Sequence, residues 1–271
     1  MIPLDFPIIQ RALIGSILAG LLTGLVGVFI IRMKLTSSSF CLSHAAFAGA
    51  ALGITLSLNP LSMALIFSAI IASIIGPVAD KAKLHADIIM SITFPLNMAL
   101  AFIFITLAPS VSQLTGEFTT ILWGSVLSMD INDIAILAII LLVTTIVFYL
   151  LWKEFFSIMF NKMMAEADGI NTKFFVYLAI FIIGIVVTLS LKLVGGLLVF
   201  ALLVNPASTA FQFLHELKKI VILSPLIGAA TCAAGLILSL FLNWPVGACI
   251  VMISTLCFAI SVFLSPKRKR G

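Results

Sequence analysis

Between Leu35 and Gly53 the chain reads LTSSSFCLSHAAFAGAALG, and this stretch holds the side chains best suited to chemistry. An imidazole (His44), a thiol (Cys41) and several hydroxyls (Thr36, Ser37, Ser38, Ser39, Ser43) fall in one apolar segment just after two basic residues, Arg32 and Lys34. A neutral imidazole nitrogen and a thiol sulfur each offer a lone pair inside the apolar segment. Cys41 lies three residues before His44, so on a helix the two share a face. Polar groups inside a bilayer are costly and turn toward a bundle interior or a polar path. That makes His44, Cys41 and Ser43 candidates for the lining of a substrate path. The same histidine suits a plain hydrogen bond to a neighbouring helix equally well. The small residues from Ala45 to Gly53 let a second helix approach closely.

A second polar stretch, Leu193 to Phe213, reads LVGGLLVFALLVNPASTAFQF. Gly195 and Gly196 permit close helix contact, and Pro206 removes a donor from the hydrogen-bond ladder, as Pro95 does earlier in the chain. Asn205, Ser208 and a freed carbonyl could line a polar cavity; equally, serine and threonine could satisfy a structural kink. Asp87, near one end of its span, suits an exit from the path or an ion pair with Lys81 or Lys83.

The elements that must position these groups follow from composition. Hydrophobic residues make up 62% of the 271-residue chain and charged residues 9%, with a mean hydropathy of +1.31, against roughly 25% charged in a soluble domain. The chain is predicted to be an all-α polytopic membrane protein, one transmembrane domain over 1–271. Apolar runs of spanning length fall at 8–31, 40–58, 61–79, 88–108, 134–152, 174–191, 194–213, 220–242 and 246–264. This gives about nine helices, with eight possible because several runs are near the minimum. Residues 116–129 are apolar but short and read as a surface or re-entrant piece. The N-terminus lacks the basic region and cleavage site of a signal peptide, so the first span is expected to be retained.

Charge orients the set. With the N-terminus outside and the C-terminus cytoplasmic, 13 of the 15 Lys and Arg residues fall on the inner side, Arg11 and Lys192 being the exceptions. The sequence pI of about 9.2 therefore reflects membrane orientation and not nucleic acid. The four cysteines (Cys41, Cys232, Cys249, Cys257) lie in apolar segments outside any C-x-x-C pair and read as reduced. The longest inner loop, 153–173, reads KEFFSIMFNKMMAEADGINTK and is followed much later by a basic tail at 265–271. Its apolar positions Phe155, Phe156, Met159, Phe160, Met163 and Met164 predict a short helix under the membrane that ends near Gly169. Such a helix would rest on lipid headgroups or dock a cytoplasmic partner.

Several motifs are absent. Without a G-x-x-x-x-G-K-[ST] loop the chain cannot hydrolyse ATP by that route, and without H-E-x-x-H or G-x-S-x-G an embedded protease or lipase is disfavoured. The ten acidic residues lie mostly at span ends, so no buried carboxylate chain of the proton-pump kind is present.

The ordered motifs resemble the permeases of zinc- and manganese-type ABC importers over about 11–264. They are Arg32-x-Lys34-Leu35 with LSHA at 42–45, KLHADIIM at 83–90, MAEADG at 164–169, the run 193–210, and NWPVG at 243–247. The resemblance implies a prokaryotic inner-membrane subunit that binds no cofactor of its own and passes zinc or manganese. Besides the lipid bilayer it implies three protein partners: a cytoplasmic ATP-binding subunit, an extracytoplasmic metal-binding protein and a second copy of this chain. It also implies that Glu166, Ala167 and Gly169 belong to the segment that couples to the ATPase. The family often carries an aspartate one turn before its histidine; here that position is Phe40. Two other transport readings stand beside this one: a permease for iron–siderophore or cobalamin-type chelates, and a secondary transporter, although inverted repeats and midplane acidic residues are not evident.

Overall fold

The computed structural model describes residues 6–84, 86–108, 124, 126, 129–195 and 199–265, with side chains for all of these except 86–87 and 192–194. Every regular element among them longer than one residue is an α-helix. In chain order these are α1 (Pro7–Arg32), α2 (Thr36–Thr55), α3 (Pro60–Ala82), α4 (Ala86–Leu107), α5 (Ile131–Leu150), α6 (Trp152–Phe160), α7 (Lys162–Ala167), α8 (Thr172–Val194), α9 (Val199–Phe213), α10 (Leu217–Leu242) and α11 (Val246–Leu264). Eight are long and apolar enough to cross a membrane. The span expected at 194–213 is represented by α9, whose 15 residues reach only about 22 Å at 1.5 Å per residue. The segment expected at 116–129 lies almost wholly outside the described residues, as does most of the basic tail.

Local chemistry sets the boundaries. Asn59 caps α3 by accepting from the Leu61 and Ser62 N–H groups, and Pro60 occupies the first turn where its missing donor costs nothing. Lys34, Lys83 and Asn243 take positive φ angles of 58°, 54° and 54° where one helix turns into the next. Pro245 then opens α11.

Two helices form the centre. α1 packs against α10, α9, α5 and α8, and α2 packs against α3, α4, α8 and α9. A methyl group added at Gly20 would run into the Gly228 carbonyl of α10, and the reverse clash holds for Gly228. Ser224 Oγ donates to the Gly24 carbonyl at 2.6 Å across the same contact. Small residues and interhelical hydrogen bonds are the cohesive elements available where lipid tails are as apolar as leucine. α2 and α4 run parallel: Ser38 meets Met90 near one end, and Thr55 Oγ1 donates to the Phe104 carbonyl at 2.7 Å near the other. Outward faces of α4, α5 and α11 present Phe102, Ile139, Leu142 and Phe263, which suit a hydrocarbon surround.

Arg32, Lys34, Lys81, Lys83, Lys153, Lys162, Lys173, Lys218 and Lys219 all sit at or beside helix termini on one end of the bundle. There Lys173 of α8 pairs with Asp80 of α3 at 3.0 Å. The single short helix expected within 153–173 is instead two helices, α6 and α7. Asn161 divides them: its backbone is extended (φ −157°, ψ 114°), which ends α6, and its side chain accepts from the Met163 and Met164 N–H groups, which starts α7. The expected apolar face divides too, with Phe155 and Met159 buried and Phe160, Met163 and Met164 exposed.

Candidate translocation site

His44 lies near the middle of α2 and is 4% exposed, its Nδ1 buried without a hydrogen-bond partner. Aromatic rings enclose it. Phe40, one turn earlier on α2, meets the imidazole edge-on at 4.9 Å between centroids, and Phe94 of α4 does so at 4.6 Å. Phe40 also touches Phe94 at 4.6 Å and Phe200 of α9 at 5.1 Å. Phe40, where the resemblance implies an aspartate, therefore sets an apolar ring against the histidine.

Cys41 is buried against α3 and α4, where it packs with Ile75 and Met90. Asn97 of α4 donates its Nδ2 hydrogen to Cys41 Sγ at 3.9 Å. Asn97 is fully buried, and its Oδ1 lacks a partner. Ser43 is buried but donates to the Phe40 carbonyl at 2.8 Å, within its own helix. Asn97 and Met90, which sequence reading did not single out, are the α4 residues that meet Cys41 and Ser38. An amide in the middle of an apolar span was the available signal for Asn97. Nothing distinguished Met90 from the apolar filling around it.

The second polar stretch lands elsewhere. Asn205 donates to Ser254 and Thr255 of α11 at 3.1 and 3.0 Å, so its amide nitrogen serves the α9–α11 contact. α9 approaches His44 through Phe200 instead. Ser208 is half-buried on α9. Both α4 and α9 continue as helices through the breaks expected at Pro95 and Pro206. Thr209 Oγ1 donates back to the Asn205 carbonyl at 2.8 Å, and Thr93 Oγ1 to that of Ile89 at 2.7 Å. Asp87 belongs to the first turn of α4, but its side chain lies outside the described residues. Among the described residues no three His, Cys, Asp or Glu side chains come together as a metal-holding group. The ring contacts of His44 are aromatic, while the Cys41 sulfur and the Asn97 carboxamide meet each other one turn away along α2.

At the basic end, Glu166, Ala167 and Gly169 are all exposed, and Gly169 takes φ +83° with open space where a side chain would go. Glu166 Oε1 accepts from Thr172 Oγ1, tying α7 to the start of α8. α6 is anchored inward by Phe155. Its ring meets Phe29 of α1 at 5.5 Å, Phe148 of α5 at 5.2 Å and Phe175 of α8 at 5.5 Å, while Phe29 and Phe148 stack at 3.7 Å. Beside α6 a cavity of about 400 Å³ opens between Arg32, Phe156, Phe160 and the 215–218 segment.

The whole chain has counterparts among known proteins. The model of the ABC 3 transport family matches residues 5–265. The manganese transport system membrane protein MntC of Listeria monocytogenes is 32% identical over 265 residues, covering 98% of this chain and 93% of that protein. The structure of PsaBC from Streptococcus pneumoniae in complex with Fab superposes with a TM-score of 0.87 at 29% identity, covering 98% of this chain and 95% of that one. An inward-facing ABC transporter described as metal-chelate type shares the fold, with a TM-score of 0.78 at 16% identity over 96% of this chain and 87% of the other. With the family match running nearly end to end and the helices in a membrane-spanning bundle, this chain is a multi-pass membrane protein that belongs to the ABC 3 transport family.

Proposed function

We propose that this chain is the membrane-spanning subunit of an importer that carries a divalent metal ion, manganese or zinc, into the cell. In this reading the basic end faces the cytoplasm and docks a separate ATP-hydrolysing subunit through Glu166, Ala167 and Gly169. An extracytoplasmic metal-binding protein delivers the ion to the opposite end, and two copies of the chain pair in the bilayer. The observation that carries the reading is His44: a buried imidazole whose Nδ1 has no hydrogen-bond partner, halfway along a central helix. An unpartnered imidazole nitrogen is a lone pair available to a cation, while a neutral ring does not repel one as lysine or arginine would. A transported ion must leave as well as enter, so a sparse donor set fits passage better than storage. The exposed surface of α7 and the cavity beside α6 offer the partner subunit a contact, and the Phe155 anchor gives that contact a mechanical link to α1, α5 and α8.

The test is uptake of radioactive manganese and zinc into proteoliposomes holding this chain with its ATPase. ATP-dependent accumulation is expected, and His44→Ala should remove most of it while expression and ATPase binding persist. Wild-type uptake by His44→Ala would make the histidine structural. Uphill uptake by the chain alone would remove the need for the second subunit.

A further inference from the structure

The seam between α2 and α4 carries a line of sulfur and amide donors distinct from the histidine. On α2, Ser38 and Cys41 face it; on α4, Met90 and Asn97 do. Ser38 Oγ donates to Met90 Sδ at 3.2 Å, Met90 packs against Cys41, and Asn97 Nδ2 donates to Cys41 Sγ at 3.9 Å. Cys41 and Asn97 are fully buried and Met90 is 2% exposed. The carboxamide aimed at Cys41 leaves its own Oδ1 without a partner, and His44 Nδ1, on the next turn of α2, is also unpartnered. A buried polar atom without a partner costs free energy and calls for an explanation such as an ion. Structural packing alone would call for none of these atoms. Leucine, alanine and valine would fill the same seam without orphaned donors and acceptors.

We infer that this seam is a transit site for a thiophilic cation, with the Cys41 thiol and the Met90 thioether as soft donors, the Asn97 carboxamide against Cys41, and His44 as the next donor along the helix. The inference rests on the chain being a metal permease and specifies its cargo. Manganese takes carboxylate, carbonyl and water, whereas thiol, thioether and imidazole favour softer or borderline ions such as zinc and cadmium. Phe40 strengthens the bias, because a phenyl ring stands one turn before the histidine where an oxygen donor would favour a harder ion. Coordination exchanges the thiol proton for the cation, so one proton leaves to solvent for each ion held by Cys41.

The experiment uses the full chain in lipid nanodiscs with Cys232, Cys249 and Cys257 replaced by alanine, which leaves Cys41 as its single thiol. Titration with cadmium should produce an ultraviolet thiolate-to-metal charge-transfer band that zinc displaces and excess manganese does not. Cys41→Ser should abolish the band. Met90→Leu, which conserves volume, should weaken cadmium binding by about tenfold. In proteoliposomes with the ATPase, the same two variants should shift the zinc-to-manganese uptake ratio toward manganese. No band in the single-thiol chain, or a band that survives Cys41→Ser, overturns the site. An uptake ratio unchanged in both variants overturns its role in transport. A cadmium band in a protein that moves no metal at all would instead sink the importer reading and leave the binding site standing.

Discussion

At the scale of single residues, the decisive substitution is one that fills space. Phe40 packs against His44, Phe94 and Phe200, so the surround of the imidazole is apolar on the side where a second ligand would stand. Phe40→Asp places a carboxylate in that box. Without a counter-charge, a buried carboxylate costs several kcal/mol, so the variant should be less thermostable than wild type in metal-free buffer. A cation bound between Asp and His44 would restore the loss, because any ligand held by the folded state alone raises apparent stability. The expected result is a melting temperature that rises with manganese in Phe40→Asp and stays flat in wild type. Equal responses in both proteins would show that position 40 does not adjoin the ion path.

At the scale of elements, the proposed docking role would be divided between the two short helices at the basic end. α7 is short and exposed, and α6 is wedged into the bundle by Phe155. Ala167→Arg adds a long cation to a surface that packs against nothing in this chain, so insertion and melting temperature should be unaffected. Transport should be lost together with stimulation of the ATPase; preserved stimulation would return α7 to a surface helix lying on headgroups. Phe155→Ala acts differently. It deletes a ring that four helices share, and truncating a buried phenylalanine costs about 3–5 kcal/mol. The variant should melt earlier and lose metal uptake while still binding the ATPase in pull-down, since the exposed face of α7 is intact. Loss of binding would show that α6 and α7 act as one rigid docking unit.

At the scale of the whole molecule, cohesion depends on how closely α1 and α10 approach. Gly20 and Gly228 leave no room for a Cβ against the facing carbonyl, and Ser224 bonds to Gly24 about one turn away. Gly228→Val should force the two helices apart at a cost of about 1–3 kcal/mol or more, read as reduced accumulation in the membrane and greater sensitivity to detergent. The separation should also disturb α9, which packs on both helices, so uptake should fall further than abundance does. Normal abundance and uptake in Gly228→Val would mean that the bundle relaxes around the added side chain.

Much of the plan was legible in the chain itself. Hydropathy determined the helices, because a bilayer satisfies no backbone group and each span must be apolar along its length. The placement of lysine and arginine gathered one set of helix ends, and the hydroxyl-rich stretch with His44 marked the central buried helix. Other features depended on partners distant in sequence. The role of Asn205 was decided by Ser254 and Thr255, some fifty residues away, and no local pattern announces such a pairing. Asn161 read as one polar residue in a helical run until its backbone proved extended and its side chain capped the next turn. Asn97 and Met90 gained meaning only when α4 was laid parallel to α2, which set a carboxamide and a thioether against Cys41. One-dimensional hydropathy records how much a residue prefers lipid to water. Which atom meets which is fixed by the azimuth and register of each helix, and in an apolar bundle those are chosen by packing.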